Sequence, residues 1–189
     1  AKYGETEEVE LTRIRRVSAR NLARAWAQVV HVTQHDEADV TAMEAFRKAQ
    51  APRLAEEGVR LSPLIFALKA TALALRRFPR MRSSLLAGGE HYFHVGVAVD
   101  TDGGLVVPVV RDVDRKGLRA LGQEVAELAE RARERKLRPE HFEGAVFSIS
   151  SLGGIGGTAF TPVVNHPELG ILGLSKLSRK PVWNAETGQ

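Results

Sequence analysis

An α+β fold, a mixed β-sheet flanked by helices, is what this sequence predicts, and three observations carry the prediction. Segments of helical period and β-rich runs follow one another without a regular βαβ alternation. The 189 residues show no repeat, no low-complexity tract and no boundary after residue 10, which fits one domain with a sizeable core. The third observation is the stretch Ala145 to Lys176, AVFSISSLGGIGGTAFTPVVNHPELGILGLSK. There an apolar strand runs into a glycine-rich bend and returns through a second apolar segment. Glycine reaches backbone torsions closed to other residues, so such a bend lets backbone approach another group closely. Ser150 and Ser151 stand where the first strand ends, which makes that end the place to look for chemistry.

Taken in order, residues 1–8 are polar and acidic and form a lead-in. Leu11 to Gln28 predicts an amphipathic helix, with Leu11, Ile14, Val17, Leu22 and Trp26 as its apolar stripe. Val29 to Asp36 alternates Val30 and Val32 with His31 and Thr33 and predicts a strand. Thr41-Ala42-Met43-Glu44 matches a capping box and opens a helix to about Glu57, with Gly58 as its stop and Pro52 set to kink or divide it. Ser62 and Pro63 suit the N-cap and first turn of a helix over Leu64 to Phe78, apolar almost all round and therefore expected to be largely buried. Tyr92 to Val99 and Leu105 to Val110 predict two strands joined by the Asp100–Gly104 turn. Leu118, Leu121, Val125, Leu128 and Ala132 recur at helical spacing, with Glu127 and Arg131 paired on the outer face, and Pro139 ends the segment.

Composition removes several classes of function. The net charge of +4 and pI near 9.7 come from basic residues spread among acids, and aromatic content is 6%. A nucleic-acid groove would need clustered cations and stacking rings. Basic character also suits an anionic small molecule. There is no cysteine, hence no disulfide, thiolate nucleophile or cysteine zinc site. No apolar run approaches the roughly 20 residues of a membrane span, and the N-terminus lacks a signal peptide's pattern. His31 and His35 would lie about 13 Å apart on a strand, too far to share one ion, and His91 and His94 would point to opposite faces. Gly154, Gly156 and Ala159 match a dinucleotide fingerprint literally. Thr161-Pro162-Val163-Val164 follows in place of a helix, however, and no acid falls between Leu169 and Ala185 to grip a ribose.

The residues FSISSLGGIGGTAFTPVVNHPELGILGLSKLSRKPVW resemble, almost position for position, the signature of the catalytic domains of dihydrolipoamide acyltransferases. These are the core subunits of 2-oxo-acid dehydrogenase complexes. AKYGETEEVELTRIRR, HVTQHDEADVTAMEAFR and VGVAVDTDGGLVVPVVRDVD match in order and spacing, so the resemblance covers nearly the whole chain. The bend SSLGGIGGTAFTP is closest to the acetyltransferase of pyruvate complexes. The resemblance implies a chloramphenicol-acetyltransferase-like fold working as a homotrimer within a larger cage. It also implies a lipoyl domain and dehydrogenase subunits as partners, and a bacterial, cytoplasmic setting.

In that family an acyl group moves between dihydrolipoamide sulfur and coenzyme A sulfur. A thiol of pKa about 8.5 is mostly protonated at neutral pH and needs a base, supplied by a histidine in an Asp-His-Arg motif. The tetrahedral oxyanion needs a hydrogen-bond donor, and the matching hydroxyl is Ser150. Arg47, Asp100, Ser175 and Lys176 match family residues around coenzyme A. The lipoyl group would arrive on a separate domain, and no metal is implied. One local departure is Arg82, where the family usually has asparagine. A larger one is that the sequence contains no Asp-His-Arg motif. The resemblance thus implies that residues 9–189 are a catalytic domain lacking its final strand and helix, with one sheet edge unpaired, and inefficient at acyl transfer alone. A non-catalytic structural core subunit is the alternative. A chloramphenicol-type enzyme would need the same histidine.

Overall fold

The computed structural model describes residues 3–84, 88–89 and 91–183. Four helices, Arg13–Gln28 (α1), Thr41–Glu56 (α2), Pro63–Arg77 (α3) and Leu118–Arg133 (α4), accompany two sheets. Strands Ser83–Ser84 (β1) and Gly88–Gly89 (β2) make a short antiparallel ribbon. The main sheet contains Val95–Val97 (β3), Val109–Val110 (β4), Phe147–Ser151 (β5) and Ile171–Leu174 (β6), in the order β4-β3-β5-β6. β3 pairs antiparallel with β4 and parallel with β5, and β5 pairs parallel with β6. The expected mixed sheet is present.

Strand alternation sorts β3 and β5 into two unlike faces. Val95, Val97 and Ile149 point into the core with Ile65, Leu68, Leu121 and Val113, all nearly inaccessible to solvent. Phe147 and Leu172 continue that face and, with Thr71, Ala74, Leu75, Phe78 and Met81, line a cavity of about 210 Å³ beside α3. The other face carries Ser148 and Ser150, with Gly96 in register with Ser148 and Gly173 in register with Ser150.

Five local expectations need correcting. Val29 to Asp36 forms no strand; Val30 and Val32 are 92% and 90% exposed, because no neighbouring strand lies alongside to complete a ladder. The start of α2 is capped from outside the predicted box. Asp39 Oδ1 accepts from the Thr41 amide at 2.9 Å and from the Thr41 hydroxyl at 2.6 Å, which holds Asp39 below its ordinary pKa. Glu44 turns instead to Arg47. Pro52 does not divide α2, which runs through it to Glu56. Helix α3 buries one face only: Ile65, Leu68, Ala72 and Leu75 are enclosed while Leu73 is exposed. The two central β runs contract to β3 and β4, with an isolated bridge between Val99 and Val106 beyond them. Pro108 lacks an N–H for the ladder and contributes only its carbonyl, which accepts from Val97 N at 2.9 Å.

The stripe predicted for α1 is a surface stripe. Ala25 alone is buried, and Leu22 and Trp26 stay exposed. The helix is fixed at its N-terminus, where the Thr12 hydroxyl donates to Gly103 O at 3.0 Å and Ile14 packs on the turn after β3.

Candidate active site

The C-terminal ends of β5 and β6 and the bend between them form one structural unit. Leu152 N donates to Leu174 O at 2.8 Å, continuing the ladder beyond Ser151. Ile155 N and Gly156 N then both donate to Leu152 O at 2.9 Å and close a tight turn. Gly156, at φ +120°, adopts a torsion that a side chain would strain. Lys176 N reaches back to Gly157 O at 3.4 Å, and Gly153 lies against the Ser151 side chain and the Ser175 carbonyl. The ends of β5 and β6 that carry Ser150, Ser175 and Lys176 are thus joined to the glycine bend. Ser150 is half-buried, and its hydroxyl has no hydrogen-bond partner among the described residues. The Phe160 ring rests on Gly173, across from Ser150. A Cβ there would come within 2.9 Å of the ring.

The other two predicted residues lie apart from this unit. Arg47 donates through Nε and Nη2 to Glu44, both at 2.7 Å, and through Nη1 to Leu61 O at 3.2 Å. The Arg47 hydrogen bonds hold the Glu44 carboxyl below its ordinary pKa and raise the guanidinium's own. Arg47 lines an open cavity of about 470 Å³ with Arg60, Ser62, Pro63 and Val59, at the N-terminus of α3. Asp100 is exposed beside the turn that packs on α1. Among the described residues no hydrogen bond joins Arg47 or Asp100 to the bend.

Three of the six histidines have ring nitrogens committed to backbone. His31 Nδ1 bonds Val29 O at 2.9 Å, which leaves Nε2 to accept from Val164 N at 3.1 Å, and the ring stacks on Trp26. His94 Nδ1 accepts from Asp112 N at 3.0 Å, and burial lowers its pKa. His141 Nδ1 accepts from Arg138 N at 3.0 Å. None of these bonds reaches Ser150. Among the described residues no group of three or more His, Cys, Asp or Glu is arranged to hold a metal ion, and no helix is long and apolar enough to cross a membrane.

The site has a second layer that the sequence reading missed. Glu168, three residues before β6, is 2% exposed, and its Oε1 accepts from Asn165 Nδ2 at 2.8 Å. Its Oε2 and the Ser148 hydroxyl are buried without a hydrogen-bond partner. Ser148 is near enough to act on the carboxyl yet outside hydrogen-bond geometry. Burial pushes the carboxyl up to about 7, with Ser148 and Asn165 pulling the other way. One signal was available: Glu168 is the only acid between Glu143 and Lys176, and no lysine or arginine shares that interval.

Comparison with known proteins gives a consistent result. The family model for 2-oxoacid dehydrogenases acyltransferase (catalytic domain) matches residues 3–189. The chain is 52% identical over its full length to the dihydrolipoyllysine-residue acetyltransferase component of the pyruvate dehydrogenase complex of Azotobacter vinelandii, and 51% identical to that of Pseudomonas aeruginosa. It spans 30% and 36% of those two proteins, about a third of their length. Among solved structures, a TM-score of 0.95 at 53% identity relates it to the cubic core of a pyruvate dehydrogenase multienzyme complex, covering 97% of this chain and 78% of that one. The same values relate it to A. vinelandii dihydrolipoamide acetyltransferase, studied for the roles of a serine, a histidine and an asparagine in its catalytic mechanism. A dihydrolipoamide acetyltransferase assigned in Listeria monocytogenes superposes with a TM-score of 0.91 at 28% identity over 96% of this chain and 79% of that one.

Proposed function

Because the chain belongs to the 2-oxoacid dehydrogenase acyltransferase (catalytic domain) family, we propose that it transfers an acetyl group between dihydrolipoamide and coenzyme A in the core of a pyruvate dehydrogenase-type complex. Its mixed sheet flanked by helices is the chloramphenicol-acetyltransferase-like fold.

The observation that carries this reading is the unengaged hydroxyl of Ser150 beside the glycine bend. As a thiol sulfur attacks the thioester carbon, negative charge collects on the carbonyl oxygen. A donor already aimed there, with no partner to relinquish, stabilises that charge more than it stabilises the neutral substrate. The bend lets the acyl group approach backbone closely, and Lys176 supplies a cation for the phosphates of coenzyme A. Arg47 and Arg60, lining one cavity, are a donor set suited to the same polyanion, with Asp100 orienting the region around it. Coenzyme A is a substrate in this scheme, and the lipoyl arm comes from a separate domain. The histidine base does not stand in an Asp-His-Arg context anywhere in this sequence. The roles proposed here for Ser150, Lys176 and Arg47 are oxyanion stabilisation and positioning.

We also propose self-association as a homotrimer within a cage, with the dehydrogenase subunits as further partners, in the cytoplasm. Exposed Val17, Leu22 and Trp26 on α1 support the contact. The test is acetyl transfer from acetyl-dihydrolipoamide to coenzyme A by the natural protein that carries this sequence. Transfer that Ser150→Ala reduces by about 10²-fold or more supports the reading. Transfer unaffected by that change removes Ser150 from the mechanism. No transfer in the wild type favours the structural-core alternative.

A further inference from the structure

The buried layer beneath Ser150 has an unusual polar inventory. Glu168 Oε1 has one partner, Asn165, while Oε2 and Ser148 Oγ have none. Ser148 is held in place by its neighbours: a Cβ on Gly96 would fall 2.6 Å from Ser148 Oγ and 2.8 Å from Val107 Cγ1. Its hydroxyl thus fills the space that Gly96 leaves open. The groups facing Glu168 are Ser148 from β5 and Asn165 from its own turn. The nearest titratable groups along the chain and loop are His166 and, through its bond to Val164, His31. No salt bridge joins Glu168 to any cation among the described residues, and no charged group contributes to its displaced titration.

An ionised carboxylate in this position would be a buried charge with only neutral donors, Asn165 and the Ser148 hydroxyl, and no counter-ion, an arrangement proteins avoid. The neutral acid removes the difficulty. It carries a hydrogen on Oε2, and the adjacent Ser148 Oγ lacks a hydrogen-bond partner. One proton satisfies both orphaned atoms, after a small adjustment of either side chain.

We propose that Glu168 is a positioning residue: held as the neutral acid, it donates its proton to Ser148 Oγ and so clamps the turn before β6 onto β5, fixing the strand that presents Ser150. Ser148 and Ser150 lie on one face, two residues apart, and each is in ladder register with β6. Loss of the proton turns that hydrogen bond round, the Ser148 hydroxyl now donating, and leaves a charge without a counter-ion under the strand. The carboxyl's displacement to about 7 puts this change inside the physiological range. The link to acyl transfer rests on the function proposed above, whereas the proton and the clamp do not.

The test compares wild type, Glu168→Gln and Glu168→Ala by amide hydrogen exchange at matched pH between 6 and 8. Gln reproduces the neutral acid, with an N–H for Ser148 and a carbonyl for Asn165, at every pH. Relative to the Gln variant, wild type should lose protection at residues 149–152 and 171–174, roughly tenfold across that range. The Ala variant should be less protected throughout, or fail to fold. Wild type and Glu168→Gln tracking each other at every pH would overturn the proposal, as would pH-dependent loss that persists in the Gln variant. A carboxyl carbon resonance of Glu168 that shows it ionised at pH 6 would do the same without any variant. Acetyl transfer measured on the same proteins keeps the two readings apart. If transfer is absent while exchange behaves as stated, the function reading fails and the clamp stands.

Discussion

The two faces of the main sheet are made by the same few residues of β5 and behave as different materials. On one, Ile149 joins Val95, Val97, Leu68 and Leu121 in a core with almost no solvent access. On the other, Ser148 and Ser150 face outward from that core, each in register with a glycine of a neighbouring strand. The first face is stabilised by area: burying an aliphatic side chain contributes about 1.5–3 kcal/mol, and neighbouring apolar residues substitute for one another at modest cost. The second holds polar atoms at fixed positions, two of them buried without partners. A strand end proposed to carry chemistry thus sits on a base that needs none. Stability and function can be perturbed separately, one face at a time.

Three substitutions sharpen that contrast. Ile149→Ala opens a hole in the core and should destabilise the fold by about 2–5 kcal/mol in urea unfolding, the largest effect expected on β5. Ser150→Ala, one residue on, should lower kcat for acetyl transfer by about 10²–10³-fold, some 2.7–4 kcal/mol in the barrier, while moving the unfolding midpoint little. If Ser150→Ala destabilised as much as Ile149→Ala, the two faces would not be separable in this way. Glu168 is the third probe, because it belongs to the small face yet is wholly buried. Its carboxyl titrates near 7 when folded against an ordinary 4.5, so between those pH values the folded chain holds a proton that the unfolded chain has released. Stability is therefore full below about pH 4.5 and falls as pH rises towards 7, by on the order of 3 kcal/mol. Glu168→Gln should abolish that fall and leave the variant more stable than wild type at pH 8. Urea unfolding at pH 5 and pH 8 reads both parts.

The apolar face was far more legible in the sequence than the small one. Helical period located α1, α3 and α4 because one turn's spacing is a local property, and the Leu118–Ala132 repeat names the side of α4 that buries Leu121, Leu128 and Ala132. Ser150 was legible for a related reason: a strand running into glycines marks its own end. What failed depended on neighbours. Val29 to Asp36 alternates like a strand, yet an extended segment becomes one only beside a partner, and His31 ties it to Val164 instead. Asp39 displaced Glu44 at the cap of α2 because Arg47 holds the Glu44 carboxylate. Glu168 read as a surface acid because most glutamates are one. Its burial is set by a turn that folds back on β5, which is not a pattern in the local sequence.

Gly96 is where the two faces can be forced into conflict. It lies between Val95 and Val97, both core residues, and its open side receives Ser148 Oγ. A methyl group there meets Ser148 Oγ at 2.6 Å and Val107 Cγ1 at 2.8 Å, distances that real contacts do not allow, so something must shift. Val107 is half-buried and can yield by turning, at a cost of about 1–3 kcal/mol for an overpacked site. Ser148 can yield only by rotating its hydroxyl away from Gly96, which takes it from the position where Glu168 needs an acceptor. The two responses are distinguishable by their pH dependence. If Val107 moves, Gly96→Ala should lower stability equally at pH 5 and pH 8. If Ser148 moves, Glu168 loses that partner in both its forms, and the cost should differ between pH 5 and pH 8. A double-mutant cycle of Gly96→Ala with Glu168→Gln at pH 8 completes the measurement, since Gln keeps a donor pointed at Ser148 at every pH. Coupling of 0.5 kcal/mol or more in that cycle would assign the shift to Ser148. Additivity in that cycle would assign it to Val107 and leave the serine-bearing face untouched by a change made in its floor.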